Sequence, residues 1–397
     1  MAQFDPAAAT QAYLAVLSPE AHAKATAYTQ GGHWVLLWTA VVTILTAWIV
    51  LKSGVLLKVR DGIESNKSRP WLAVAAVVVV DAVIEGLLTL PWNAYADWWR
   101  QKAYGLTDQA FGGWMGETLM MMGISLIMTL LLISGVYVLM RKAPKTWWAW
   151  SGGLVAVAFM VIMVLAPVFI EPLFNTYTPA PAGPVRDTVV TMANANGVPS
   201  DKIYVYNGSK QSNRYTANVS GLFGTARVAM SDTMFKQGAD LAEVKGVVGH
   251  EMGHYVHMHA IWLSSAFGLM ALALFFIVDR LFAPVARLVG AKDIKGISDP
   301  AGLPVIYIII AVVGLLGTPI TSSVSRMAET DADKFSLEHF NEPDGLAKAL
   351  VKTIEYRAAT PSKLEEVMFY DHPAVGSRVR RAMDWKAAHP PKSEPIY

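Results

Sequence analysis

Six apolar runs, each of roughly twenty residues, decide what this chain can fold into. They occupy residues 34–51, 71–92, 118–140, 147–170, 260–278 and 303–325. The hydrocarbon core of a bilayer is about 30 Å thick and a helix rises about 1.5 Å per residue, so each run can cross it. In lipid every backbone amide and carbonyl must be satisfied within the fold, which makes such runs helices. Only the second carries ionisable side chains, Asp81 and Glu85. Trp34, Trp71, Trp92, Trp147 and Trp148 stand near run ends, where indole rings anchor at the membrane interface. Composition agrees: 53% of the 397 residues are hydrophobic and 16% are charged. An ordinary soluble domain carries about 25% charged residues. The first thirty residues hold a single Lys and no short apolar core of signal-peptide type. No cleaved targeting sequence is expected, and the first run is expected to act as its own insertion signal.

Residues 171–259 break the pattern, because Pro, Gly, Asn and Asp recur and no long apolar run survives. This part is expected outside the hydrocarbon. Its periodicity predicts a helix over 183–196, short strands over 202–207 and 226–231, and a helix from 241. Residues 326–397 turn polar again, mostly helical in pattern, and end in a Pro-rich tail. The expected layout is a membrane region at 1–170 with four spans, a polar segment at 171–259, two spans within 260–325 and a second polar segment at 326–397. Because membrane and polar parts interleave, they are expected to form one integrated unit: a mainly α polytopic membrane protein with a small β-sheet. With 33 basic and 31 acidic residues the net charge is +2, which gives no reason to expect nucleic acid.

The chain has no Cys, which removes disulfide scaffolds, thiolate zinc sites, iron–sulfur clusters and cysteine nucleophiles. A metal site must then use His, Asp or Glu. The segment His250-Glu251-Met252-Gly253-His254 is an H-E-x-x-H pattern in a helical stretch. A spacing of four puts both imidazoles on one helix face, where they can grip one Zn²⁺ per chain. Glu251 sits beside them, placed for a general base. Catalytic zinc usually takes three protein ligands, and the best candidate for the third is Glu329, just past the sixth run. Asp333, one turn later, is placed to accept a hydrogen bond from a ligating imidazole and fix its tautomer. Taken alone, Glu329 would serve equally well as a solvated helix carboxylate. Depth favours the ligand, since His254 precedes the fifth run and Glu329 follows the sixth by only a few residues, so both lie within roughly 10 Å of the same membrane edge. His257 and His259 follow the motif towards lipid. His257 could share the face of His250, but a solvated or interfacial histidine is the expected reading there.

These residues resemble the integral-membrane zinc metalloproteases typified by the type I CAAX prenyl protease. The likeness runs in order through Leu90-Pro91-Trp92, Tyr104-Gly105-Leu106-Thr107, Glu171-Pro172-Leu173-Phe174-Asn175, Asn207-Gly208-Ser209-Lys210, Gly221-Leu222 and Ser231-Asp232-Thr233. It continues through the H-E-x-x-H helix, Ser325-Arg326 with Glu329, Ala332-Asp333, His372-Pro373 and Arg378. The resemblance implies that His250, His254 and Glu329 bind zinc, with Arg326 and Asp333 supporting them, and that Glu251 is the general base. It implies that His372 and Arg378 bind the scissile carbonyl or its oxyanion, and that Ala217, Asn218 and Val219 form a strand that pairs with substrate. It also implies a ring of membrane helices around a large water-filled chamber. The eukaryotic members carry seven spans where six are read here, and the stretch 215–219 only approximates their Ser-Asn-Ala strand.

The expected function is therefore membrane-embedded zinc endopeptidase activity on peptide or protein substrates, membrane-associated or lipidated. Cleavage of prenylated CAAX proteins, membrane-protein quality control and peptide processing all fit. The Ala-rich, Cys-free character points to a bacterial inner membrane. The alternative is a transporter or structural membrane protein with a non-catalytic metal site, in which Asp81 and Glu85, four apart on one helix face, serve a proton or ion path. As protease residues the same pair would line the chamber. Lys52, Lys58, Arg60, Arg141, Lys142 and Arg287 lie in loops opposite the H-E-x-x-H side, so the positive-inside rule puts that side outside the cytoplasm. The resemblance puts it on the cytosolic face, and the two indications oppose one another.

Overall fold

The computed structural model describes residues 4–390, and the end of the Pro-rich tail lies outside the described residues. Among the described residues, six helices are long and apolar enough to cross a membrane, and they coincide with the six apolar runs. They are Pro19–Ser53, Pro70–Ala103, Phe111–Lys142, Trp147–Phe174, His259–Leu288 and Pro300–Phe340, called here the first to sixth spans. Each overruns its apolar stretch, because capping rather than hydropathy sets where a helix ends. The first span starts where the Ser18 hydroxyl accepts the Ala21 N–H, and stops at Gly54, whose φ of 66° suits glycine.

Each span packs against the one before it and the one after it in the chain, and the sixth closes onto the first. A hexagon of helix axes about 8–10 Å apart leaves a centre about one helix wide. Burial agrees with a wall one helix thick, since only 6% of the apolar window of the third and fourth spans is covered by protein. The spans thus enclose a chamber. Asp81 on the second span is 1% exposed, so it sits within the wall rather than lining the chamber, while Glu85 is half-buried.

The polar segment 171–259 holds a four-stranded sheet in the order β1-β2-β4-β3, made of Tyr177–Pro179, Ile203–Tyr206, Ala217–Ser220 and Arg227–Ser231 for β1 to β4. β2 and β4 are parallel and the other two pairings antiparallel. The expected strands and helices appear within a residue or two of their sequence bounds, as with the helix Pro184–Ala195. Not expected were the helices Pro6–Leu14 and Val55–Glu64 and strand β1. At three residues, β1 is too short to show a period.

Val228 and Met230 on β4 point into a core with Val244, Val248, Met252 and Phe335. That core seats the sheet on the helix Leu241–Val256, here the metal helix. The metal helix starts with a reciprocal cap, in which the Asp240 carboxylate accepts the Glu243 N–H at 2.8 Å and Glu243 accepts the Asp240 N–H at 3.2 Å, a device that contributes about 1 kcal/mol. Its opposite flank runs hard against the sixth span. A Cβ added at Gly253 would lie 3.0 Å from Ala332 Cα, and one at Gly249 would lie 2.8 Å from Ser336 Oγ. Glycine there lets two helices distant in sequence approach closely enough for side chains one turn away to share an ion.

Candidate active site

His250 and His254 project from the metal helix and Glu329 from the sixth span into one point. One ligand atom from each lies within 4.8 Å of the others. The two Nε2 atoms are 3.2 Å apart, with Glu329 Oε2 3.2 Å from His250 Nε2 and Oε1 3.4 Å from His254 Nε2. Glu329 Oε2 is buried and, despite that proximity, has no hydrogen-bond geometry to any partner. Two imidazole lone pairs and an orphaned carboxylate oxygen aimed at each other repel unless a cation lies between them. This donor set of two nitrogens and one oxygen suits a divalent metal with a position left open. Burial disfavours a charged imidazole at His250, yet the Glu329 and Asp333 carboxylates outweigh it and push its pKa up to about 10.

Behind the ligands, the other ring nitrogens are occupied. His250 Nδ1 is 3.0 Å from Asp333 Oδ1, so its tautomer follows from the carboxylate's need for a donor. Asp333 also accepts from Arg378 Nε at 2.8 Å, Arg378 Nη2 at 2.6 Å and Arg381 Nη1 at 3.1 Å. Arg378 is 4% exposed. Burial works against its charge, but the facing Asp333 and Glu329 carboxylates hold its pKa above the usual guanidinium range. Only Nη1 stays free of Asp333, 3.7 Å from Glu329 Oε2. Arg326 makes no hydrogen bond or ion pair with any of the three candidate ligands. It donates to the Glu366 carbonyl at 2.9 Å, to the Tyr370 carbonyl and to Ser323 Oγ at 2.6 Å, and so ties the segment before His372 to the sixth span.

The ligand atoms open into a cleft of about 140 Å³ lined by Glu251, His372, Arg357 and Arg378 on its polar side and by Val247, Leu346 and Leu350 on its apolar side. Desolvation pushes the Glu251 carboxyl above the usual carboxylate range, against the opposing pull of His250 and His254. His372 Nε2 is 3.3 Å from Glu329 Oε1, and Nδ1 is 2.8 Å from Asp371 Oδ1. Arg357 Nη2 lies 3.2 Å from His372 Nε2. Ala217 on β3 lines the same cleft. β3 is the edge of the sheet, with Asn218 opposite Ala229 and Val219 opposite Val228 on β4, and Asn218 Oδ1 is buried without a partner.

Two groups escaped the sequence reading. Arg357 carried no motif, and only the fold brings it to His372. His259, which the sequence placed only on the way towards lipid, is 2% exposed and hydrogen-bonded to His254. His257 does meet solvent, pairing with Asp331.

The comparisons follow the geometry. Residues 179–391 match peptidase family M48, and residues 6–176 match the family described as CAAX prenyl protease N-terminal, five membrane helices. An uncharacterized metalloprotease, YhfN, of Bacillus subtilis is 28% identical over 84% of this chain and 79% of its own length. The CAAX prenyl protease 1 homolog of Caenorhabditis elegans is 24% identical over 80% of this chain and 78% of its own. The crystal structure of S. mikatae Ste24p superposes with a TM-score of 0.74 at 20% identity, covering 93% of this chain and 89% of that one, which establishes a shared fold. None of these matches favours a transporter or a structural membrane protein. The chain belongs to peptidase family M48 and is a membrane-embedded metalloendopeptidase.

Proposed function

We propose that the metal is zinc, one ion per chain, held by His250, His254 and Glu329, and that the chain hydrolyses peptide bonds in membrane-associated or lipidated substrates. The single observation that carries the ligand assignment is the convergence of three donor atoms, one of them a buried carboxylate oxygen without a partner. When bound, zinc supplies the Lewis acid that polarises the scissile carbonyl and makes water a nucleophile near neutral pH. The remaining work falls to side chains. The Ala217, Asn218 and Val219 edge pairs with an extended substrate through main-chain hydrogen bonds, which lays the scissile bond across the cleft. Glu251 takes a proton from the attacking water and delivers it to the departing amine nitrogen as the C–N bond breaks. His372, backed by Asp371, donates to the developing oxyanion, and Arg378 adds its charge from behind through Nη1.

The relatives named CAAX prenyl proteases and the bacterial metalloprotease support a peptide substrate at the membrane. In a bacterial plasma membrane, where prenylated partners are not expected, that substrate is a misfolded membrane protein or a short peptide. The membrane parts 1–170 and 260–325 and the protease parts 171–259 and 326–397 work as one unit, because the ligands come from both protease parts and Glu329 is carried on the helix that continues the sixth span. The test is Glu251→Gln. This variant is expected to keep one zinc by elemental analysis and lose roughly 10²–10⁴ of its turnover. Wild-type rates at full zinc occupancy would sink the mechanism, and purified wild-type protein with no stoichiometric metal would sink the ligand set.

A further inference from the structure

We propose that His259 and Asp331 form a hydrogen-bonded relay that positions the ligand His254, and that the relay exists because of a single left-handed residue, Met258. The inference rests on the ligand set proposed above.

In an uninterrupted α-helix each residue turns about 100°, so residues five apart lie about 140° apart around the axis and do not touch. His254 and His259 are five apart, yet their Nδ1 atoms are 2.8 Å from each other. The chain achieves this by ending the metal helix at Val256 and starting the fifth span at His259, with Met258 between them at φ 52° and ψ 38°. A non-glycine residue in that region costs about 1–2 kcal/mol. The turn folds the start of a membrane span back onto the metal helix. Trp262 packs its ring edge-on to His259 at 5.5 Å between centroids, which fixes the imidazole plane.

Tautomers along the chain of bonds follow from donor counting. With Nε2 of His254 aimed at the metal position, its proton sits on Nδ1 and is donated to His259 Nδ1. That nitrogen accepts, so the proton of His259 sits on Nε2, which lies 3.0 Å from Asp331 Oδ2 and donates to it. His257 donates to the same oxygen from Nδ1. Every donor meets an acceptor, and the relay ends on a carboxylate carried by the sixth span, two residues beyond Glu329. Asp333 performs the corresponding task for His250 in one step. A relay of this kind raises the basicity of the ligating nitrogen and locks its ring orientation.

His257, His259 and Asp331 also satisfy the distance pattern of a metal cluster. The same donor counting argues against an ion there. A metal on His259 Nε2 would move that ring's proton to Nδ1, where it would face the Nδ1 proton of His254, two donors with no acceptor between them.

The test measures zinc affinity of the full-length protein in detergent at fixed pH by competition with a chromogenic chelator. His259→Ala is expected to weaken zinc about 10- to 100-fold. His259→Asn, whose Oδ1 reaches the δ position and accepts the same proton, is expected to restore most of it. The visible absorption bands of the Co²⁺-loaded protein should shift in His259→Ala and return in His259→Asn, a response that packing alone does not give. Asp331→Asn serves where His259→Ala does not fold, and should weaken zinc in the same direction by less. Unchanged affinity in His259→Ala and Asp331→Asn overturns the relay, while loss of zinc in His250→Ala in the same series shows that the ligand set still stands. Retention of zinc in His250→Ala takes down both. A second metal equivalent in wild type that Asp331→Asn abolishes identifies the cluster as a metal site and also overturns the relay.

Discussion

Two triads of similar composition lie side by side, the first on the metal helix and the sixth span, the second on the turn after the metal helix, the start of the fifth span and the sixth span. His250, His254 and Glu329 form one, and His257, His259 and Asp331 the other, each with two imidazoles and a carboxylate within bonding range of one ion. They differ in where their spare lone pairs point. In the first triad the outward nitrogens are already bonded, to Asp333 and His259, so the inward ones are free and converge with an unpartnered Glu329 oxygen. In the second, His259 uses both ring nitrogens, and the His257 and Asp331 side chains are 38% and 45% exposed. Composition and proximity therefore do not make a metal centre. Unsatisfied donors facing a buried point do.

The largest expected effect breaks the comparison outright. His254→Ala should lose all bound zinc and all peptidase activity, whereas His257→Ala should keep one zinc per chain and wild-type cleavage. Elemental analysis of the two purified variants checks this. Zinc loss in His257→Ala would mean the two triads are not distinct. Next in size is Gly253→Ala, whose added methyl meets Ala332 and forces the metal helix from the sixth span. Overpacking of this kind costs about 1–3 kcal/mol, so its thermal midpoint should fall and its zinc affinity with it. A midpoint equal to wild type would show that the close approach is not needed to assemble the first triad. The smallest effect is expected for Met258→Gly. Met258 is 58% exposed, so little packing is lost, and relief of the left-handed backbone is offset by the greater chain freedom of glycine. A stability change within about 1 kcal/mol and unchanged zinc affinity are expected. A large drop in affinity would mean the methionine side chain itself holds the turn.

Much of the fold was legible in the sequence because its signals are local. A run of twenty apolar residues names a span by length alone. Apolar periodicity marks the helices over 183–196 and from 241, and the four-residue step between His250 and His254 fixes a shared face. Glu329 was half legible: depth arithmetic carried it to the same end of the spans as the two histidines, but no spacing rule separates a ligand from a solvated carboxylate on the same helix. The link of His259 to His254 was not legible, because straight-helix geometry turns residues five apart away from each other. Arg357 left no signal, since its nearness to His372 depends on how two non-regular stretches fold over the cleft.

By itself the sequence determined six membrane helices, a polar protease segment between the fourth and fifth, and two histidines and a glutamate in register on one helix. These follow from periodicity and length, which each segment expresses whatever its neighbours do. Only the tertiary structure decided that the spans close into a ring, that β3 lies at the sheet edge, and that Glu329 completes one triad while His259 is drawn into supporting it. Those outcomes depend on how closely two helices approach at Gly249 and Gly253 and on which way the chain turns at Met258. Packing and backbone conformation set both, and neither has a period that a sequence can display.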